Sequence, residues 1–584
     1  MASLQNDDVC NFHRRHKLGN VVDVDVLAKG ALIAQYPTNI HNPDVTALEK
    51  SAIESEAKST IFHQTKEMNV IILTTACAAI IQGWQQSTIN AASRGWQCSL
   101  LLDSSDDFCI NTYQMYMTCL TDAAPWISGS IIGTWVSDPL QESIFGRRYA
   151  LSVSAFFCAI GALAIGSAWC EKWWHTLICR LILGIGIGAK ASIAPVFAAE
   201  AAPNHLRGRL LMMWQLFDTL GIFVGFLCYW ICRRSWEALL GSAAVPSLVL
   251  LVLAFLCPES PRFLIRNGEF AKAFISLRQL RGSDIQAAKD LYYIHSQLQI
   301  ETELFDGQRP QRWWDNDLYQ KKVKDQNFLQ RVWALFTVQR NRRAVVAAFL
   351  VMAAQQLCGI NVLSFYSSTL FASVKDSSNP QCVNCKDPMD DRVAWLNLGF
   401  GLTNFLFTIP AYIWIDRKGR RILLLYSLGG MFFTLIMIAG FFRLTTQSQD
   451  SARIGLVATL IIGVFTLFYG IGAGPVPFTF SAEVFPLAFR EVGMSFSVMV
   501  NFIGLSLLIL FVPPLTSAFA PKDSGPKTTN LLGHRTVLTI LFSGLTALAF
   551  FLVFFLVPSR TAEISLEEMD AIFVQSIQGR LCMY

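Results

Sequence analysis

The chain carries one charged motif twice, at the same spacing and in the same kind of place. Residues 200–207 and residues 483–490 both read E-x-x-P-x-x-x-R, and each copy follows a long apolar stretch. A second pair agrees, because Gly-Arg-Arg occurs at 146–148 and again at 419–421. In both motifs, the first copy is separated from the second by about the same length of chain. The repeat therefore predicts two similar halves, each with charges where its helices would leave a membrane.

Twelve apolar stretches are long enough to cross a bilayer, which needs about 20 mostly apolar residues. Of the 584 residues, 53% are hydrophobic and 15% are charged, whereas soluble domains carry about 25% charged residues. We therefore predict an all-α membrane protein, with twelve transmembrane helices in two pseudo-symmetric six-helix halves, and exclude a large soluble protein. The stretches cover 69–90, 113–136, 150–169, 174–199, 211–231, 237–257, 344–371, 393–415, 421–442, 455–480, 493–517 and 536–557.

The predicted spans divide the chain into a polar tail, a six-helix bundle, a hydrophilic connector, a second bundle and a second tail. The connector contains two amphipathic stretches, 269–280 and 284–305, which favour helices on the membrane surface. The first tail is polar and is expected to be mostly disordered. The five segments are 1–67, 68–257, 258–343, 344–558 and 559–584.

An even number of spans places both termini on one side of the membrane. Basic residues beside the spans at both ends of the connector favour the cytoplasm for that side. No apolar core follows His13-Arg14-Arg15, so the tail does not resemble a signal peptide. The expected location is the plasma membrane with cytoplasmic termini, and a net charge of +5 gives no indication of a nucleic-acid partner.

Most of the 15 cysteines lie inside predicted spans, where they act as small apolar side chains. Cys98 and Cys109 share one loop, and a disulfide between them is a candidate in an oxidising exterior. Cys382 and Cys385 share another loop, but zinc is disfavoured because no second ligand pair lies nearby. The sequence indicates neither a metal nor a cofactor.

Glycine and proline interrupt corresponding spans of the two halves. Residues 184–188 read G-I-G-I-G, which favours close helix packing, and residues 472–477 read G-A-G-P-V-P, which predicts a broken tenth span. Paired breaks of this kind indicate a substrate path through a secondary transporter.

Taken in order, these motifs resemble those of the sugar porter family of the major facilitator superfamily, and of its fungal members in particular. The resemblance covers roughly residues 68–570. It implies the major facilitator fold, two halves that rock about a central site, transport of a small sugar or polyol, and no enzymatic activity. The motifs lie at 133–148, 180–200, 258–264, 355–361 and 416–421.

The resemblance implies two sets of functional residues. Charged residues at the helix ends would latch the two halves, and they are Asp138, Arg147, Arg148, Glu200, Arg207, Asp416, Arg420, Arg421, Glu483 and Arg490. Amides both donate and accept hydrogen bonds, as solute hydroxyls do. The implied solute-binding residues are Gln215, Gln355, Gln356, Asn361, Asn404, Phe478 and Asn501.

The chain departs from the family pattern at three points. Gln85 stands where proton-coupled members carry an aspartate, which favours facilitative transport because an amide cannot be protonated. Phe478 and Phe502 replace two tryptophans, so the pocket is expected to be more apolar than a standard glucose site.

The third departure is Lys190, near the middle of the fourth span. The charges inside the predicted spans are Arg180, Lys190, Asp218 and Asp122. A mid-span ammonium is costly, so we expect Lys190 to pair with Asp218 or Asp122, and proton coupling through either acid stays open. The sequence also leaves two alternative functions open, namely export of a secondary metabolite and sugar sensing without transport.

Overall fold

The computed structural model describes most of the chain. Two parts of the predictions lie outside what is described: the second tail, and the side chains of Cys109, Cys382 and Cys385. The described residues are 6–35, 45–58, 60–101, 108–109, 112–167, 170–306, 327–375, 382–383, 391–445, 459, 462–518 and 528–558.

The first half contains six membrane-crossing segments. Two of them are composite, because a π turn at Gly129–Gly133 joins α5 to α6 and a short break separates α10 from α11. The helices are α4 (Lys66–Leu100), α5 (Thr112–Ser128), α6 (Thr134–Pro139), α7 (Gly146–Gly166), α8 (Trp173–Ala201), α9 (Arg207–Ile231), α10 (Trp236–Gly241) and α11 (Ala244–Leu256).

The second half repeats this plan with six further segments. Its tenth span covers Ile462–Val484 and contains a π turn at Tyr469–Ala473, where the glycine–proline run predicts a break. The helices are α16 (Gln339–Leu357), α17 (Ile360–Lys375), α18 (Asp391–Lys418), α19 (Arg420–Thr445), α20 (Pro475–Val484), α21 (Arg490–Ala518) and α22 (Thr528–Leu556).

Eleven helices of the described part are long and apolar enough to span a membrane. The one remaining span is the second in chain order, and it begins with α5. The α-helical part of this span is only 17 residues long before the π turn begins. The structure is therefore a nearly all-helical multi-pass membrane protein, as predicted.

Close helix packing depends on glycine where α8 meets the second span. A Cβ atom on Gly188 would lie 2.2 Å from the carbonyl oxygen of Gly129, so no side chain fits between these two backbones. Both glycines lie beside the π turn at Gly129–Gly133, and the turn is therefore held against α8 by backbone contact.

In its described parts the connector forms four helices on one face of the membrane, which we call the connector face. The amphipathic stretches predicted at 269–280 and 284–305 are confirmed as α13 and α14. Arg281 of α13 donates to Asp290 of α14 at 2.7 Å. Burial raises the pKa of Asp290, but Arg281 and Lys289 outweigh burial and hold this pKa below its usual range. The helices are α12 (Pro261–Arg266), α13 (Phe270–Arg281), α14 (Asp284–Asp306) and α15 (Phe328–Thr337).

The first tail is folded where it is described, so the expectation of disorder was wrong for these stretches. It forms α1 (Asn6–Arg15), α2 (Val24–Gln35) and α3 (Ala47–Lys58). Phe12 and Leu27 are fully buried against the connector helices. These apolar residues are too few to form a core of their own, and they are stabilised because α14 supplies the other side.

One apolar cluster on the connector face joins three parts of the chain, and we call it the connector cluster. It contains Phe12 of α1, Phe270 and Leu291 of the connector, and Phe489, which lies within the second copy of the E-x-x-P-x-x-x-R motif. The tail, the connector and the second half are therefore packed together outside the spans.

Two short strands connect the halves on the opposite face. β1 (Phe108–Cys109) pairs antiparallel with β2 (Cys382–Val383). Cys98, near the end of α4, is in a disulfide. Its partner lies outside the described side chains, so the Cys98–Cys109 pairing stays a prediction. Short 3-10 turns complete the fold at Leu18–Asn20, Ile61–His63, Asn204–Leu206 and Leu487–Phe489.

Candidate functional site

A buried pocket lies between the two halves at the level where spans are broken. The empty space among its lining residues, including the part that opens to solvent, is about 410 Å³. The lining residues are Gln82, Gln86, Gln215, Asp218, Ile222, Gln355, Gln356, Ile360, Asn361, Ser364, Asn404, Tyr469, Phe478, Asn501 and Leu505.

The structure brings all seven residues of the implied solute-binding set into this one pocket. The sequence interpretation missed Gln82 and Gln86 of α4. Their spacing of four residues puts both on one helix face, and this was the signal that could have found them. Gln85 is also buried, yet it is not among the residues that line the pocket.

The amides of the second half are linked to one another. Gln355 donates to the Tyr469 hydroxyl at 3.1 Å and to the Gly474 carbonyl at 3.2 Å, and it accepts from Asn501 at 2.6 Å. Asn361 donates to Gln356 at 2.7 Å. These bonds fix the orientation of the amides, while each oxygen can still accept a further hydrogen bond.

The two phenylalanines that replace family tryptophans lie in different places. Phe478 lines the pocket and packs against Trp214, with ring centroids 5.7 Å apart. Phe502 is fully buried and packs edge-to-face with Trp126, with ring centroids 5.1 Å apart. It is not among the lining residues of the pocket. Of these two phenylalanines, only Phe478 therefore gives the pocket an aromatic face, beside the ring of Tyr469.

Contacts between the halves close the pocket on the face opposite the connector. Asn90 of α4 donates to the Ser364 carbonyl at 2.9 Å and to the Ser367 hydroxyl at 2.8 Å. Further out, Arg233 pairs with Asp391 across the two halves.

Charged pairs between the halves close the pocket on the connector face. Arg147 of α7 donates to both oxygens of Glu200, at 3.1 and 3.0 Å, within its own half. It also pairs with Glu491 of α21, in the other half. Arg266 of the connector donates to the same Glu491 at 2.7 Å. Glu491 is thus a buried junction that the sequence interpretation missed.

The connector supplies another cation that was not predicted. Arg331 of α15 donates to Asp138 at 2.8 Å and also pairs with Glu142, and Asp138 is fully buried. The acidic residue of the first-half motif is therefore held by the connector rather than by one of the predicted arginines.

The second-half motif forms the equivalent bidentate pair. Arg420 donates to both oxygens of Glu483, at 3.1 and 2.9 Å. Asp416 lies 3.3 Å from Arg420 and 3.4 Å from Arg209 of the first half, so this set also links the halves.

The remaining predicted latch residues are arginines that lie at the same face. Arg148 lies over the Tyr149 ring at 5.2 Å, and Arg421 donates to the Phe554 carbonyl. Arg207 and Arg490 are both buried, and Nε and Nη1 of Arg490 have no hydrogen-bond partner among the described residues.

Lys190 does not form the predicted pair. Its ammonium donates to the Ala78 carbonyl at 2.7 Å and lies over the Trp214 ring at 5.6 Å. Among the described residues it has no ion pair within 4 Å with Asp218 or Asp122. A backbone carbonyl and an aromatic face instead satisfy this fully buried cation.

Arg180 also bonds to the backbone. It donates to the Thr121 carbonyl at 2.8 Å and to the Asp122 carbonyl at 3.3 Å.

No three histidine, cysteine or acidic side chains in the described part are arranged to hold a metal ion. The pocket therefore offers a set of hydrogen-bonding amides, one carboxyl group and the aromatic rings of Tyr469 and Phe478.

Comparisons with known proteins agree with this arrangement. The profile of the sugar (and other) transporter family matches residues 71–573. Myo-inositol transporter 1 of Saccharomyces cerevisiae is 30% identical over 67% of this chain and 63% of its own length. Putative polyol transporter 2 of Arabidopsis thaliana is 28% identical over 76% of this chain and 81% of its own length.

The fold is that of a solved major facilitator protein. The structure of the proton:xylose symporter XylE bound to 6-bromo-6-deoxy-D-glucose matches with a TM-score of 0.66 at 19% identity, over 87% of this chain and 99% of that one. The family profile covers both six-helix halves and the connector between them. The chain therefore belongs to the sugar (and other) transporter family.

Proposed function

We propose that this protein moves a small polyhydroxylated solute, such as a sugar, inositol or another polyol, across a membrane by alternating access. The observation that carries the proposal is the amide-lined pocket between the halves. Cross-half contacts lie on both sides of it, with Asn90 towards one face and Arg147 towards the other. A solute could leave only after one of these contact sets opens.

The names of the relatives support this class of solute, because they include polyol and myo-inositol transporters. The connector face is proposed to be cytoplasmic, with the protein in the plasma membrane. The basic residues beside the spans at that face support this orientation.

We also propose that transport is facilitative. Gln85 is buried in α4 and carries an amide at the position of the coupling aspartate in proton-coupled members. An amide has no proton to exchange at physiological pH, so no proton would move with the solute at this position.

Uptake of radiolabelled solutes into a transporter-deficient host tests the proposed function directly. The panel should hold D-glucose, D-xylose, myo-inositol and sorbitol, and at least one is expected to enter faster than into cells with an empty vector. Absence of uptake for the whole panel would contradict the proposal. Resistance that depends on efflux would then indicate an exporter, and a signalling phenotype would indicate a sensor.

Facilitative transport predicts downhill movement only. A solute that is not metabolised is expected to reach the same concentration inside and outside the cells, and a protonophore should not abolish its uptake. Steady-state accumulation well above the external concentration, collapsed by a protonophore, would show that another group carries the proton.

The amide network predicts weaker binding when one amide is removed. Gln355→Ala and Asn361→Ala are each expected to raise the half-saturating solute concentration about 2- to 12-fold, because one hydrogen bond contributes roughly 0.5–1.5 kcal/mol. Gln85→Ala is the matched control, since this buried amide does not line the pocket. Unchanged values for both pocket variants, at normal surface expression, would remove these residues from the site.

A further inference from the structure

The pocket contains one acidic side chain, Asp218, whose role the amide site does not explain. Asp218 lies on α9 one helical turn beyond Gln215, lines the pocket, and is only 5% exposed. Its Oδ1 atom is buried and has no hydrogen-bond partner among the described residues. A buried acceptor without a donor costs free energy, so a partner absent from the protein itself is indicated.

The backbone at Asp218 is held in place by α4. A Cβ atom on Gly83 would lie 1.9 Å from the Asp218 carbonyl oxygen, so the two helices touch through their backbones at this point. The carboxyl group is thus attached to a rigid part of the first half, beside Gln82 and Gln86 of the neighbouring helix.

The nearest cation does not occupy the Asp218 oxygens. Lys190 attracts Asp218 electrostatically, but its ammonium donates to the Ala78 carbonyl at 2.7 Å. The ammonium favours the charged form of the carboxyl group against the opposing effect of burial, and it leaves the Asp218 oxygens available to the pocket. A cationic solute would be repelled by Lys190, which favours a neutral one.

Two neighbouring hydroxyl groups are the chemical partner that fits. An ionised carboxylate only accepts hydrogen bonds, and its two oxygens can accept from two donors side by side. Bonds to a charged acceptor are roughly twice as strong as neutral ones. The amides that share the pocket can bind the remaining hydroxyls as donor or acceptor.

We propose that Asp218 is a specificity-determining residue that accepts hydrogen bonds from two adjacent hydroxyl groups of the transported solute. The inference rests on the proposed function and adds its selectivity, because a solute without a free vicinal diol would leave the carboxylate unsatisfied. Such selection favours sugars, cyclitols and linear polyols over small polar molecules with a single hydroxyl group.

The test compares Asp218→Asn with the unchanged protein, using whichever radiolabelled member of the panel of D-glucose, D-xylose, myo-inositol and sorbitol is taken up. The variant is expected to bind this solute roughly 10- to 100-fold more weakly. Deoxy analogues, each lacking one hydroxyl group, then compete for uptake. Removal of either diol hydroxyl should weaken competition in the unchanged protein but little further in Asp218→Asn, because the partner is already lost.

Asp122→Asn is the matched control, because Asp122 is equally buried in a span and its Oδ1 also lacks a described partner, but it does not line the pocket. The affinity of Asp122→Asn for solute should stay unchanged.

Thermal stability gives a second readout for Asp218→Asn. Without solute, the midpoint of Asp218→Asn should not fall, since the substitution removes an unsatisfied charge, whereas the stabilisation by added solute should largely disappear.

The outcomes separate this inference from the function on which it rests. If no panel member is transported, both fail. If transport is normal but Asp218→Asn keeps its affinity, only the role of Asp218 fails. If affinity is kept and uphill accumulation is lost, Asp218 carries a proton instead of binding the solute, and the inference is likewise overturned.

Discussion

Replacing Arg147 with alanine is expected to destabilise the folded protein by about 3–5 kcal/mol, because removal of one partner leaves buried charges uncompensated. The guanidinium is fully buried between Glu200 and Glu491. Without it, two carboxylates from different halves face each other where water is excluded. The thermal midpoint of the purified variant should fall well below that of the unchanged protein.

The neighbouring arginine provides a matched control. Arg148 is only partly buried and lies over the ring of Tyr149, so Arg148→Ala should cost less than about 1 kcal/mol. Arg147→Lys keeps the charge but loses the pair of parallel N–H bonds, and it is expected to be intermediate. Equal midpoints for Arg147→Ala and Arg148→Ala would refute this account of the charged junction.

Replacing Glu491 with alanine is expected to increase the open population of the connector face at least tenfold. Glu491 accepts from Arg147 across the halves and from Arg266 of the connector. A hydrogen bond to a charged group contributes about 1.5–3 kcal/mol, and about 1.4 kcal/mol corresponds to a factor of ten. The two arginines keep Glu200 and Glu142 as partners, so the halves stay folded while the link between them is weakened.

Labelling of a buried serine position measures this opening. Ser137 and Ser495 belong to different halves, are fully buried, and have hydroxyl oxygens 3.2 Å apart. A Ser137→Cys probe, in a background without the accessible cysteines Cys10, Cys228 and Cys232, should react at position 137 with a water-soluble maleimide in proportion to the open population. The labelling rate should rise at least tenfold in Glu491→Ala.

A cross-half pair on the opposite face supplies the control for direction. Arg233 and Asp391 are partly exposed, with Asp391 57% exposed, and such pairs contribute little. Asp391→Asn should therefore leave labelling at position 137 unchanged. If Glu491→Ala gives the same rate as Asp391→Asn, the Arg147–Glu491 pair does not hold the connector face closed.

The pocket could be anticipated from sequence because polar groups inside apolar spans have few reasons to be there. A buried amide is costly unless it is bonded, and the seven predicted residues do meet in one pocket. Gln82 and Gln86 are not predicted by the family pattern, which marks only position 85 in this part of α4. Spacing alone does not say which face of α4 meets the second half.

Partner choice among the charged residues could not be predicted. Arg490 and Glu491 are adjacent in sequence, and only the rotation of α21 decides which one points to the first half. Arg331 lies in the connector, far from the motif that contains Asp138, so no local pattern joins them. The sequence predicts an acidic partner for Lys190, whereas its actual partner is the backbone carbonyl of Ala78. Every residue has such a carbonyl, so no residue type indicates this contact.

The connector cluster gives the closing motion a thermal signature. Phe489 of the second half packs with the tail and connector, outside the spans and therefore next to water rather than lipid. Opening this face would hydrate that apolar surface, and hydration of apolar groups raises the heat capacity. The equilibrium between the two states should then follow a curved van't Hoff plot, with hydrophobic closure weakening on cooling. If the transport cycle hydrates and dehydrates this cluster, the ratio of open to closed populations of the connector face should change with temperature. This change should occur even when every ion pair stays the same.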